Sequence, residues 1–225
     1  MPPTDKMVSP DCRDWDRFWG EESSRAFTQS SWSKRRMIAL MRPWVAAGKS
    51  ALDAGCGSGF FAKHFCDEGM RATALDYSDG ALRIAAQQTG GRATILKKDL
   101  VNEDLSQSCP EKFDLIFSDG LLEHFPGEEQ DKIVRNLIRV LTPDGQLITF
   151  VPNRWSPWEL IRPFFMPGIE ETPFIMSELL DLNRRNGLRV TTQGGLNTFP
   201  FALSPDVMLG SSFGMLLYTV AQKNV

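Results

Sequence analysis

The chain has no surplus of positive charge: 25 Lys and Arg stand against 28 Asp and Glu, a net charge of −3. Without a basic excess there is no general field to gather nucleic acid or anionic lipid, so neither is expected as a partner. No apolar run approaches the roughly 18 residues that span a bilayer. Met1-Pro2-Pro3-Thr4-Asp5-Lys6 also lacks the basic-then-apolar order of a secretion signal. The four cysteines, Cys12, Cys56, Cys66 and Cys109, form no C-x-x-C pair. They are expected as reduced thiols of a cytoplasmic protein. Of the two histidines, His64 falls beside Phe61 and Phe65 in a helical segment and reads as structural, which leaves His124 for chemistry.

What is present is an ordinary globular composition, 42% hydrophobic and 24% charged over 225 residues, without internal repeats. That length suits one large α/β domain or two small ones. The most informative stretch is Leu52-Asp53-Ala54-Gly55-Cys56-Gly57-Ser58-Gly59-Phe60-Phe61. A short apolar strand over 50–54 runs into three glycines at alternate positions and then into helical spacing, with Phe61 and Phe65 on one face. Glycines here allow positive φ and let a ligand press on the backbone, and the helix N-terminus beyond offers free N–H groups. A dinucleotide fingerprint, G-x-G-x-x-G/A, would need a small third residue where Phe60 stands. Asp53 would repel a pyrophosphate but can receive an ammonium group.

In Asp53, Gly55, Gly57 and Gly59 the chain resembles the D-x-G-x-G-x-G motif of the class I S-adenosylmethionine-dependent methyltransferases, and in Leu122-Glu123-His124 the small-molecule type found in ubiquinone and menaquinone biosynthesis. The resemblance covers about residues 48–151 by motif and the remainder by element order. It implies an α/β Rossmann-like fold with a seven-stranded, mostly parallel sheet of order 3-2-1-4-5-7-6, the last strand antiparallel, helices on both faces and an N-terminal helical lid. It implies S-adenosylmethionine as cofactor, S-adenosylhomocysteine as product, and a small, partly apolar acceptor methylated at O, N or C. A protein or peptide methyltransferase and a non-catalytic S-adenosylmethionine-binding protein stand as alternatives.

Further candidates follow along the chain. Asp76 ends a second strand, 71–76, about twenty residues past the glycines, where a carboxylate accepts ribose hydroxyls; Tyr77 follows it and can flank adenine or ribose. A third strand, 92–96, leads to Asp99 and Leu100, which match the family's adenine-contacting acid and its neighbour. The fourth, 113–118, is an apolar run suited to the centre of a parallel sheet. It ends in Ser118-Asp119-Gly120-Leu121-Leu122-Glu123-His124. Ligands of open α/β sheets lie beyond the carboxyl ends of strands at the switch point, so this loop faces the site. With Cys56 inside the glycine turn, the cofactor set reads Asp53, Gly55, Cys56, Gly57, Gly59, Asp76, Tyr77, Asp99, Leu100, Ser118 and Asp119.

Leu122-Glu123-His124 resembles the L-E-H of small-molecule members. His124 is the candidate general base and Glu123 its orienting partner; a contact role for His124 is the alternative. Metal-using quinone-ring O-methyltransferases carry E-x-x-E-H here. This chain has Gly120 at the first glutamate, so no metal is expected. The D/N-P-P-Y/W string of amino-methylating nucleic-acid enzymes is missing as well.

The chain reads as a single domain: an N-terminal arm and lid over 1–47, a cofactor core over 48–151, a Pro/aromatic cap over 152–176 and a C-terminal helix and strand pair over 177–225. Trp19 in the lid and Trp155, Trp158 and Phe164 in the cap are the candidate acceptor contacts. Both segments also read as aromatic staples or satellite core. The proline spacing over 152–174 predicts neither helix nor strand, and no amphipathic helix is expected between the last two strands.

Overall fold

All five residues of strand β1 (Ser50–Ala54) are buried, as expected of a strand covered on both faces at the centre of a sheet. It pairs in parallel with β2 (Arg71–Asp76) on one side and β4 (Phe113–Asp119) on the other. Strand β3 (Thr94–Lys97) extends the sheet beyond β2, and β5 (Leu141–Pro152) beyond β4, both parallel. Strands β6 (Leu188–Leu196) and β7 (Leu216–Lys223) complete it, with β7 antiparallel to both β5 and β6. The order is β3-β2-β1-β4-β5-β7-β6, the arrangement anticipated from the motifs. This computed structural model describes residues 11–109, 111–165, 171–199, 201 and 203–224.

Alternation along the strands sends side chains to opposite faces and so builds two apolar layers. On one face Ala51, Leu115, Phe117, Ile148 and Phe150 meet α2 (Trp32–Met41), α3 (Phe60–Asp67) and α4 (Asp79–Thr89) through Met37, Met41, Phe61, Phe65 and Leu82. On the other, Leu52, Ile116, Leu147 and Val151 meet α5 (Gly127–Val140) and α7 (Met176–Arg185) through Ile133, Leu137, Leu179 and Leu182. Phe117 is the hinge of the first layer: its ring lies 4.3 Å from Phe61 and 5.7 Å from Phe150.

Three expectations need correction. The polar, proline-containing composition of residues 1 to about 14 predicts a loose arm, but the chain is helical from Cys12, where α1 (Cys12–Gly20) begins behind an Asp11 capping box. The segment after β5 contains a helix, α6 (Trp158–Phe165). Pro157 sits just ahead of its first turn, and Pro163 removes only one donor from a short helix. A helix, α8 (Asp206–Phe213), also joins β6 to β7. It carries no apolar stripe because it docks by backbone contact: a Cβ added to Gly195 would fall on the carbonyl of Gly210. Asp206 fixes its start, accepting from the Thr198 amide at 2.8 Å and the Ser204 hydroxyl at 2.6 Å.

Replacing Phe117 by Ala should lower unfolding stability by about 3–5 kcal/mol, the usual cost of emptying a packed aromatic site. Urea denaturation measures it; a loss below about 1 kcal/mol would mean the ring layer does not hold this face.

Candidate active site

The sheet reverses its winding between β1 and β4, and the loops after those strands open onto a shared cleft. After β1 the chain turns through Gly55, Gly57 and Gly59, all at positive φ. Two of these glycines are needed for close approach. A Cβ on Gly59 would lie 2.6 Å from the backbone of Ala85 in α4, and one on Gly57 would lie 2.4 Å from the Trp19 indole. Gly59 therefore seats α3 against α4, whereas Gly57 presents bare backbone to the cleft.

Carboxylates at the strand ends hold this turn. Asp76 accepts the Gly57 amide through Oδ2 and the Ser78 amide through Oδ1, each at 3.0 Å. Asp53 accepts the Ala62 amide at 2.9 Å, in the first turn of α3. Burial pushes both carboxyls above the usual aspartate range, while these amides pull the other way. Asp99 makes an Asx turn at the end of β3, accepting from the Val101 amide at 2.8 Å and the Asn102 side chain at 2.8 Å.

The cleft has two compartments with common walls at Gly55, Gly57, Trp15, Trp19, Gly120 and His124. The smaller, about 70 Å³, lies against Asp76, Tyr77, Asp99 and Leu100. The larger, about 420 Å³, is bordered by Asp53, Cys56, Asp119, Glu123, Trp158 and Glu171. Of the residues expected from sequence, Gly59, Ser118 and Trp155 line neither compartment. Ser118 is buried behind the cleft, its hydroxyl unpartnered among the described residues, and Trp155 is 67% exposed. Phe164 belongs to α6, but its side chain lies outside the described part of the structure.

Helix α1 roofs the small compartment. Asp16 accepts the Ser78 hydroxyl at 2.7 Å and the Gly80 amide at 2.9 Å, a carboxylate on the N-terminus of α4. The Gly80 amide and Ser78 hydroxyl hold it below the usual aspartate range. This anchor sets Trp19 over Gly57 and Trp15 edge-on to His124, with ring centres 4.9 Å apart.

Sequence reasoning missed two charged residues of the larger compartment. Lys34, on α2, lies 4.2 Å over the Phe60 ring and donates to the carbonyls of Phe27 and Gln29. Burial lowers its pKa to about 8, against the opposing pull of Asp119 and Asp53. Glu171 lies in the cap segment, and its carboxylate, that of Glu123 and the His124 ring offer atoms within 4.8 Å of one another. Glu123 is 2% exposed, and burial raises its carboxyl well above the usual range. Nothing local marks either residue. Both come from segments far in sequence from the loops they meet.

The reversed-strand sheet, the glycine turn against acidic strand ends, and the cleft at the switch point together make up the class I methyltransferase fold arrangement that the motifs anticipated. Residues 52–149 match the model of the methyltransferase domain family. The ubiquinone biosynthesis O-methyltransferase of Pseudomonas syringae pv. tomato is 30% identical over 109 residues, 48% of this chain and 46% of that protein. The enzyme of the same name from Pseudomonas fluorescens strain ATCC BAA-477 is 29% identical over 177 residues, 72% of this chain and 75% of that one. The chain thus spans about half the length of the first of these relatives. In structure it is similar to the N-methyltransferase NodS of Bradyrhizobium japonicum in complex with S-adenosylhomocysteine: TM-score 0.67, 15% identity, covering 95% of this chain and 98% of that one.

Burial lifts the pKa of Asp119 to about 6 from 3.8, with Lys34 opposing. The native state then holds this proton more tightly than the unfolded chain, so the group's contribution to stability falls as pH rises from about 4 to 6. Asp119→Asn should flatten that part of the stability–pH curve by about 1–3 kcal/mol in chemical denaturation. An unchanged slope would mean Asp119 keeps an ordinary aspartate pKa.

Proposed function

We propose that this protein transfers a methyl group from S-adenosylmethionine to a small, partly apolar acceptor. The observation that carries the reading is the Gly57 turn, whose bare backbone faces the cleft between carboxylates at the ends of β1, β2 and β3. Those residues fit the donor chemically. Asp76 suits the ribose hydroxyls, Asp99 and Leu100 the adenine, and Asp53 with Lys34 the ammonium and carboxylate of the amino-acid end. The small compartment, at about 70 Å³, is tighter than a nucleoside, so Trp19 and Trp15 must give way for that end to be filled. Helix α1 is held by Asp16 at the start of α4 and by the Cys12 thiol on the Tyr77 carbonyl at 3.1 Å, contacts that involve no strand residue.

When bound, S-adenosylmethionine supplies a methyl group on a positively charged sulfur, open to in-line displacement. The chain's part is then positioning and proton control. Holding two reactants on one line is worth roughly 7–11 kcal/mol where the alignment is good. His124, edge-on to Trp15, is suited to take the proton of an acceptor hydroxyl or amine, with Glu123 beside it. Trp158 supplies apolar wall for the acceptor.

Further features fit the same reading. One sheet carries both apolar layers, which supports a single domain over 1–225. All four cysteines are free, which fits a cytoplasmic enzyme. No helix among the described residues is long and apolar enough to cross a membrane. The net charge of −3 favours small acceptors over nucleic acid.

Calorimetric titration with S-adenosylhomocysteine and with NADH tests the reading: the first should bind one to one and the second should not, and the reverse preference would overturn it. Asp76→Ala should weaken S-adenosylhomocysteine binding by about 1–3 kcal/mol; unchanged affinity would remove Asp76 from the site. His124→Ala should lower turnover far more than cofactor affinity, and an unchanged rate would make it scaffold.

A further inference from the structure

The larger compartment is unusual in its unbalanced acid. Glu123 and Glu171 border one end; behind them the guanidinium of Arg162 joins Glu171, at 3.0 Å, to Glu159, at 3.3 Å. The side chains of this trio are nearly closed off, Glu171 at 7% exposure, Arg162 at 14% and Glu159 at 17%. Glu123 is more deeply buried still, and its Oε2 has no hydrogen-bond partner among the described residues, nor has Oε1 of Glu159. Buried carboxylate oxygens without partners cost several kcal/mol unless something positive meets them.

We infer that the acceptor carries a protonated amine, and that Glu123, Glu171 and His124 are the groups that receive it. The inference rests on the methyl-transfer reading and narrows its substrate class. Three observations support it. The ligand atoms of the trio lie within 4.8 Å of one another; three acceptors at ~2.8 Å around one ammonium nitrogen stand ~4.6 Å apart. The same compartment is walled by Trp15, Phe18 and Trp158, and aromatic faces beside carboxylates are what an organic cation binds. Lys34, which borders the same compartment, donates to the Phe27 and Gln29 carbonyls, so three carboxylates against the one guanidinium of Arg162 leave room for added positive charge, which an amine brings and a neutral phenol does not. A bare divalent ion would use the carboxylates but gain nothing from the aromatic walls. Before it can be methylated, the amine must give one proton to the enzyme. Glu123 and His124 are both placed to take it, and the nitrogen lone pair is then free to attack.

The test uses the full chain saturated with S-adenosylhomocysteine. Benzylamine, 2-phenylethylamine and 4-phenylbutylamine are titrated calorimetrically at pH 7.5, each beside the alcohol of the same skeleton. The proposal expects at least one amine to bind tenfold or more tighter than its alcohol. In Glu123→Gln and Glu171→Gln that preference should fall below about threefold, while S-adenosylhomocysteine affinity and melting temperature hold; two isosteric variants guard against one failing to fold. Equal binding of amines and alcohols, no binding by any amine, or a preference that survives in both variants would overturn it. So would binding of MgCl2 or MnCl2 alone that both variants abolish while amines stay indifferent. Failure of the wild-type protein to bind S-adenosylhomocysteine at all is a separate result, and it would strike the methyl-transfer reading itself.

Discussion

The clasp between Asp76 and the Gly57 amide is the constraint on which the rest depends. It joins the end of β2 to the turn after β1, so two neighbouring strands and the helix between them meet at one point. Because the acceptor of that hydrogen bond is a buried carboxylate, charge is drawn into a place that ordinary packing would keep apolar. Two amides stabilise it there. The clasp also keeps the Gly57 backbone facing the cleft, where any side chain would occupy the space now taken by Trp19.

From that point the two halves of the cleft diverge in character. Toward β3 the walls are strand-end acids and backbone, rigid because the sheet fixes them. Toward β5 and α6 they are aromatic rings, Lys34 and the Glu123–Glu171 group, contributed by loops and by the two segments that flank the core. A rigid half suited to a constant cofactor and a variable half suited to a particular acceptor is what a shared sheet with individual loops provides. The roof helix, α1, belongs to both, since Trp15 and Trp19 border both compartments.

How much of this could be read from the chain depends on how local the cause is. The strand, glycine turn and helix of 50–67 are dictated by residues adjacent in sequence, and β1, β2 and the helix capped by Ser78 fall at the expected positions. The reversed last strand is what the family resemblance implied, and β7 runs antiparallel to both its neighbours. The α8 helix could not be foreseen, because Gly195 and Gly210 dock it through backbone rather than through an apolar stripe. Helix α6 was hidden by prolines whose harm depends on where in the helix they fall. Of the residues that border the cleft, Asp53, Asp76, Asp99 and Asp119 could be picked out as acids at or just past strand ends and His124 through its likeness to the L-E-H loop. Lys34 and Glu171 could not, because each reaches the cleft from a distant segment and only the packed fold brings them there.

The central claim is that the backbone of the glycine turn is a binding surface for the adenosyl donor. Amide NMR during titration with S-adenosylhomocysteine tests it directly, since glycine cross-peaks fall in a separate region of the spectrum. The claim predicts that Gly55 and Gly57 show shifts among the largest in the protein, with Asp99 and Leu100 following. Shifts confined to other surfaces, with the Gly57 amide unmoved at saturation, would contradict it.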